Sequence, residues 1–166
     1  MTRFVEAGHE EWINAPIATV RAQFADLQHH IDAQVHPKLR FQILSQRGRH
    51  ARYVQEVRLL GILQRDVFER EIAEDGMSML DRSVEGFNRG GSLAFRFTPG
   101  VQRGTEATQV GVTIRIPVPR FLGWLKPLLE AQVRRELLAA VQQDKRDIEV
   151  RGYRGTSITP GTPLAA

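Results

Sequence analysis

No cysteine occurs among the 166 residues, which excludes disulfides, thiolate metal sites and a thiol nucleophile. No stretch approaches the ~20 apolar residues that a membrane-spanning helix requires. The first residues, MTRFVEAGHEEW, lack the apolar core of a secretory signal, so a cytoplasmic protein is expected. Lysine is scarce: of 23 basic residues only Lys38, Lys126 and Lys145 are lysine, leaving twenty arginines. The net charge is +4, but the basic residues are dispersed, with no run of five or more. Aromatic residues make up 7% of the chain, and only Phe95-Arg96-Phe97 interleaves them with a basic residue. Those phenylalanines alternate as an inward strand face would. No nucleic-acid motif is legible, and no nucleic-acid partner is expected.

What remains is the composition of a soluble domain, with 42% apolar and 25% charged residues. One domain is expected over residues 1–152. Residues 153–166, rich in Gly, Pro and Thr, are expected to form a disordered tail. Alternation predicts a first strand over residues 4–14. Asn14 and Pro16 then read as a helix start, with Asn14 able to cap. Ile17, Val20, Phe24, Leu27 and Ile31 predict a short amphipathic segment, broken near Asp26. Six further strands are predicted over 39–46, 51–60, 62–71, 77–85, 92–98 and 109–116, with a loop over 99–105. A long helix closes the series. It has a short opening turn over 121–126, a main body starting at Pro127, and Gly152 just past its end. Its apolar positions are Phe121, Leu125, Leu128, Leu129, Val133, Leu137, Leu138, Val141 and Ile148. The expected architecture is α+β: a curved seven-stranded antiparallel sheet wrapped around the long C-terminal helix, with short helices after the first strand. Space between sheet and helix would form a cavity.

Several stretches in this order resemble a known superfamily. They are Trp12-Ile13-Asn14-Ala15-Pro16, then Val20, Phe24 and Asp26, then Ile72-Ala73-Glu74-Asp75, Gly90-Gly91-Ser92 leading to Phe95-Arg96-Phe97, and Gly104-Thr105. Together they resemble the START-like, helix-grip (SRPBCC, Bet v 1-like) superfamily, and most of all its polyketide cyclase/dehydrase and lipid transport branch. The resemblance spans about residues 3–150. It implies the helix-grip fold and a hydrophobic small-molecule ligand such as a lipid, an isoprenoid or quinone, or a polyketide. The superfamily also includes aromatic cyclases, quinone-binding chaperones and chaperone-activating domains. Ring oxygenases share the fold but need a cysteine-bearing domain, which this chain cannot supply. Fold alone does not fix function.

The expected apolar lining is Phe24, Tyr53, Val57, Phe68, Phe95, Val112, Ile114, Leu125, Leu129 and Val133. Carboxylates at Glu56, Asp66, Glu69, Glu71, Asp81 and Glu85 lie near Arg52, Arg58, Arg65, Arg70 and Arg82, a pattern that reads chiefly as cross-strand ion pairs on the outer face. If a charged group points inward, Asp66 and Arg70 are favoured, because they share a face with Ile62, Phe68 and Ile72. They are the candidates for proton transfer if the protein is a cyclase or dehydratase. His29, His30 and His36 lie near Asp26 and Asp32, but their spacing is not that of a known metal-binding helix. They read as a solvated helix end, and no metal or cofactor is expected. Residues 59–63 (Leu59, Leu60, Gly61, Ile62, Leu63) and 121–125 (Phe121 to Leu125, with Trp124) are apolar all round. They read either as a membrane-touching gate to the cavity, or as core or a dimer contact with a second copy. A third reading is an interaction module with a filled interior.

Overall fold

The computed structural model describes residues 3–59, 61–118 and 120–155. Alternation in β1 (Arg3–Ile13) places Val5, Ala7 and Ile13 on a buried face, with Glu6, Gly8 and Glu10 exposed behind them. The chain continues through α1 (Ile17–Ala25), α2 (Leu27–Asp32), β2 (Arg40–Arg47), β3 (His50–Leu59), β4 (Ile62–Ile72), β5 (Ser78–Gly86), β6 (Ser92–Gln102) and β7 (Thr105–Val118). A 3-10 turn over Arg120–Leu125 then leads into α3 (Lys126–Glu149).

All seven strands join one antiparallel sheet in the order β1-β7-β6-β5-β4-β3-β2. Hairpins account for every neighbour except β1, which pairs along its whole length with β7, from Arg3 opposite Val118 to Ile13 opposite Thr108. Register shifts at Ile43/Ser45 in β2 and Val67/Phe68 in β4 bend the sheet as bulges do. α3 lies against β1 and α1. The core packs Val133, Leu137, Val141 and Ile148 of α3 onto Val5, Ile13, Phe97, Val110, Val112 and Ile116 of the sheet. This is the expected helix-grip architecture.

Four local expectations are corrected. The loop predicted over 99–105 is strand: β6 runs to Gln102, and a two-residue turn at Arg103 (φ 50°) and Gly104 (φ 81°) starts β7 at Thr105. Pro99 is tolerated there because β5 pairs only as far as Arg96. The Phe97 amide points to the β5 side, so two residues on the missing Pro99 amide falls where no strand waits. Asn14 does not cap α1. Pro16 holds the capping position, and the Asn14 amide donates instead to Glu149 Oε1 at 2.6 Å. Leu128 and Leu138 leave the apolar face of α3 and are 55% and 43% exposed, while Asp144 and Asp147 are buried on it. Tyr153 belongs to the packed region: its hydroxyl donates to Asp26 Oδ2 at 2.9 Å and its ring meets His29. Residues 156–166 of the expected tail lie outside the described residues.

The break near Asp26 has a plain cause. Its φ, ψ of −83°, 78° ends α1, and its carboxylate accepts from the His29 amide at 3.0 Å to cap α2.

Candidate functional site

Two adjoining chambers lie between the sheet and α3. The outer one, about 130 Å³, is lined chiefly by Val57, Leu59, Phe68, Ile114, Ile116 and Val133. The inner one, about 80 Å³, is lined by Phe24, Tyr53, Phe95 and Val112, and by the polar side chains of Arg70, Asp81, His30, His36 and Asp144. Leu39, Gln55, Leu93, Leu137 and Ala140 border both and form the wall between them. Outside, a groove of about 550 Å³ runs between β3, β4 and α3, and shares Val57 and Glu136 with the outer chamber. A still larger hollow, about 850 Å³, involves the outer face of the sheet around Gly8, Ala94 and Gly111. It is wide open and away from the clustered polar groups, so size alone does not make it the site.

Eight of the ten residues expected to line a cavity border one of the two chambers: Phe24, Tyr53, Val57, Phe68, Phe95, Val112, Ile114 and Val133. Leu125 and Leu129 line neither, and Leu129 packs on the core instead. Arg70 reaches the inner chamber. Asp66 is buried but lines neither chamber. One of its oxygens accepts from the Asn88 amide at 2.6 Å and the other from Asn88 Nδ2 at 2.7 Å, so its carboxylate fastens the β5–β6 loop.

The partner that Arg70 finds is Asp81, directly opposite it across β4 and β5. Arg70 Nε and Nη2 donate to the two Asp81 oxygens, each at 2.7 Å, and Nη1 donates to the Phe24 carbonyl at 3.1 Å. The Tyr53 hydroxyl donates to Asp81 Oδ2 at 2.8 Å, and the guanidinium sits 5.3 Å from the Tyr53 ring centre. Burial disfavours the guanidinium charge, but Asp81 more than offsets it and Arg70 stays protonated. Burial and the Asp81 charge push the Tyr53 hydroxyl well above its ordinary value, keeping it a neutral donor. Such a bidentate pair is well satisfied, and removing one partner would strand a buried charge. The remaining strand carboxylates do form outer ion pairs: Arg65 with Glu56, Arg82 with Glu71, and Arg52 with Glu69 and Glu85.

A second polar cluster closes the α2 end of the inner chamber. His30 Nε2 and His36 Nε2 stand 3.1 Å and 3.3 Å from Asp144 Oδ1. His29 Nε2 lies 2.7 Å from Asp147 Oδ2, and Gln23 Nε2 donates to both aspartates at 3.1 Å. His30 and His36 are buried, not solvated at a helix end. Burial alone would push the Asp144 carboxyl up, but His36 and His30 outweigh it and hold it well below the usual carboxylate range. Burial works against the charged form of His36, and Asp144 reverses this, leaving His36 raised. The i, i+4 pairing of Asp26 with His30 exists, but through the main chain: His30 Nδ1 meets the Asp26 carbonyl at 2.7 Å. Asp144 and Asp147 were not singled out in the sequence. The signal available was their position, since Val133, Leu137, Val141, Asp144 and Ile148 continue one helical stripe.

No family model and no curated protein matches the chain. Solved structures do. A protein of Thermus thermophilus superposes with a TM-score of 0.75 at 17% identity, over 89% of this chain and 99% of that one. The Zhui aromatase/cyclase of Streptomyces sp. R1128 gives 0.70 at 19% identity, over 93% and 100%. A START superfamily protein of Mycobacterium smegmatis gives 0.67 at 15% identity, over 86% and 98%. At these identities the likeness concerns the fold, which is that of START-like and Bet v 1-like proteins.

Proposed function

Taking the helix-grip fold as the premise, we propose that this protein binds a small hydrophobic molecule between its sheet and α3. The observation that carries the reading is the pair of chambers, both walled mostly by apolar surface, with the buried set Tyr53, Arg70 and Asp81 on the inner one. Such an arrangement suits an amphiphile whose ring or chain lies against Val57, Phe68, Ile114 and Val133 while its polar atoms meet Tyr53, Arg70 and Asp81. Chambers of 130 Å³ and 80 Å³ are small beside the roughly 300–1,000 Å³ of drug-sized sites, so a longer ligand requires Leu39 and Leu137 to swing aside. The groove at Val57, Leu63, Arg58 and Arg135 supplies an entrance. Beside it Ile62 and Leu63 are about half exposed, which favours loading from an apolar surface; Trp124 of the 3-10 turn, which does not line the groove, is 77% exposed. The side chains of Leu60, Phe121 and Leu122 lie outside the described residues. No helix among the described residues is long and apolar enough to cross a membrane.

A catalytic reading is favoured by one feature, the buried Tyr53–Asp81–Arg70 set on the inner wall, and by the likeness to an aromatase/cyclase. A neutral Tyr53 hydroxyl held by Asp81, beside the Arg70 guanidinium, would orient and polarise a polar ligand atom rather than exchange a proton with it. The test begins with native mass spectrometry of protein purified from its own host, with extraction of anything released. A stoichiometric hydrophobic molecule is the expected outcome. In parallel, the uptake of a fluorescent fatty acid is compared with that of Ala140→Trp, which fills the wall between the chambers. At least tenfold weaker uptake by the variant is expected. Equal uptake by both, or none by either with no extracted molecule, overturns the proposal and leaves the interaction module.

A further inference from the structure

We propose that His30, His36 and Asp144 form a site for one divalent transition-metal ion, with an open coordination position toward the inner chamber. Three ligand atoms, one from each buried side chain, lie within 4.8 Å of one another. Donors held at ~2.0–2.2 Å from a metal stand ~3.0 Å apart in octahedral and ~3.4 Å apart in tetrahedral geometry. The two histidine–carboxylate edges, 3.1 Å and 3.3 Å, already have those lengths. The imidazole–imidazole edge closes by rotating rings that are stacked 5.2 Å apart.

The orientation of the rings is the stronger argument. His30 Nδ1 lies 2.7 Å from the Asp26 carbonyl and His36 Nδ1 lies 2.9 Å from Gln143 Oε1. Both partners accept, so both Nδ1 atoms carry the proton, and in the neutral rings both Nε2 lone pairs face Asp144. Two lone pairs and a carboxylate converging on one point repel unless a cation lies among them. This is the arrangement by which outer hydrogen bonds fix metal-binding histidines. Gln23 adds to it: fully buried, it donates to Asp144 Oδ1 and keeps an unpartnered acceptor, Oε1, beside the cluster. Two imidazoles and a carboxylate suit zinc, iron(II), cobalt(II) or nickel(II). With three protein ligands, a further position remains for water or for an oxygen of a molecule in the inner chamber. The site does not depend on the ligand reading above.

The alternative cation is a proton on one ring, and cobalt(II) distinguishes them. The full-length protein, stripped with chelator, is titrated with cobalt(II) and followed by visible d–d absorption. One equivalent is expected to saturate the band, and His36→Ala and Asp144→Asn are each expected to weaken binding at least tenfold while keeping the far-ultraviolet spectrum. In case a variant does not fold, proton NMR of the wild-type cobalt protein is expected to show two strongly shifted, exchangeable imidazole N–H signals, one for each anchored Nδ1. Absence of a saturable band, a band unchanged in both variants, or no shifted imidazole N–H signals would overturn the proposal.

Discussion

Along α3 the residues that face the sheet change character near Val141. Before it, Val133, Leu137 and Ala140 border the chambers through carbon alone, and the charged Glu136 stands where the outer chamber meets the groove. After it, Asp144 and Asp147 are buried among Gln23, His29, His30 and His36. The same helical period aims both halves inward, so periodicity settles which face is covered but not what covers it. The two ends should also fail differently. An apolar wall loses contacts in graded amounts and can partly collapse. A buried polar network fails in large steps, because each missing partner leaves a charge or a donor stranded.

The largest effect should come from the inner chamber's other buried polar set, Arg70 and Asp81 on β4 and β5. Asp81→Ala leaves the Arg70 guanidinium buried without its carboxylate, and a loss of about 3–5 kcal/mol is expected from urea unfolding. The double variant Arg70→Leu, Asp81→Leu should recover part of that loss. A single-variant loss under about 1 kcal/mol would mean that water reaches the pair, and the contrast between apolar wall and buried polar network would break. Leu137→Ala tests the apolar end. A loss of about 2–3 kcal/mol is expected, low in the usual Leu→Ala range because one side already borders open space. Because it opens the wall, the variant should also take up bulkier fluorescent probes than the wild type does; unchanged probe size would argue that the chambers do not communicate there. Tyr153→Phe removes one hydrogen bond to Asp26 and should cost about 1 kcal/mol in thermal melts. A null result would place Tyr153 outside the cooperative unit and return the domain boundary to residue 152.

The fold was legible because its signals are local. Alternation marks each strand, Asp26 breaks the helical segment beside a cap, and Pro127 falls in the first turn of α3 where an amide is not required. Eight of the ten expected lining residues followed from strand alternation and helical spacing, while Leu125 and Leu129 fall outside the chambers. The polar groups did not, since each depends on pairing across distance. Arg70 faces Asp81 only because of the β4–β5 register, which a bulge at Val67/Phe68 shifts. Asp66 shares Arg70's face in sequence, yet Asn88 holds it elsewhere. His30 meets Asp144 across 114 positions, and no spacing rule within the helical segment reveals that partner.

The placement of Tyr153 has a practical consequence for anyone handling the protein. By holding the chain just past α3 against Asp26 and His29, it fixes residue 153 at the end of the molecule where the histidines gather. An affinity tag of six histidines joined directly after Gly155 would emerge beside the proposed metal site and compete with it. Arg3 lies at the opposite end of β1 from Ile13, a strand length of ~33 Å away, while Asn14 next to Ile13 touches the end of α3. Purification handles therefore belong on the amino-terminal side.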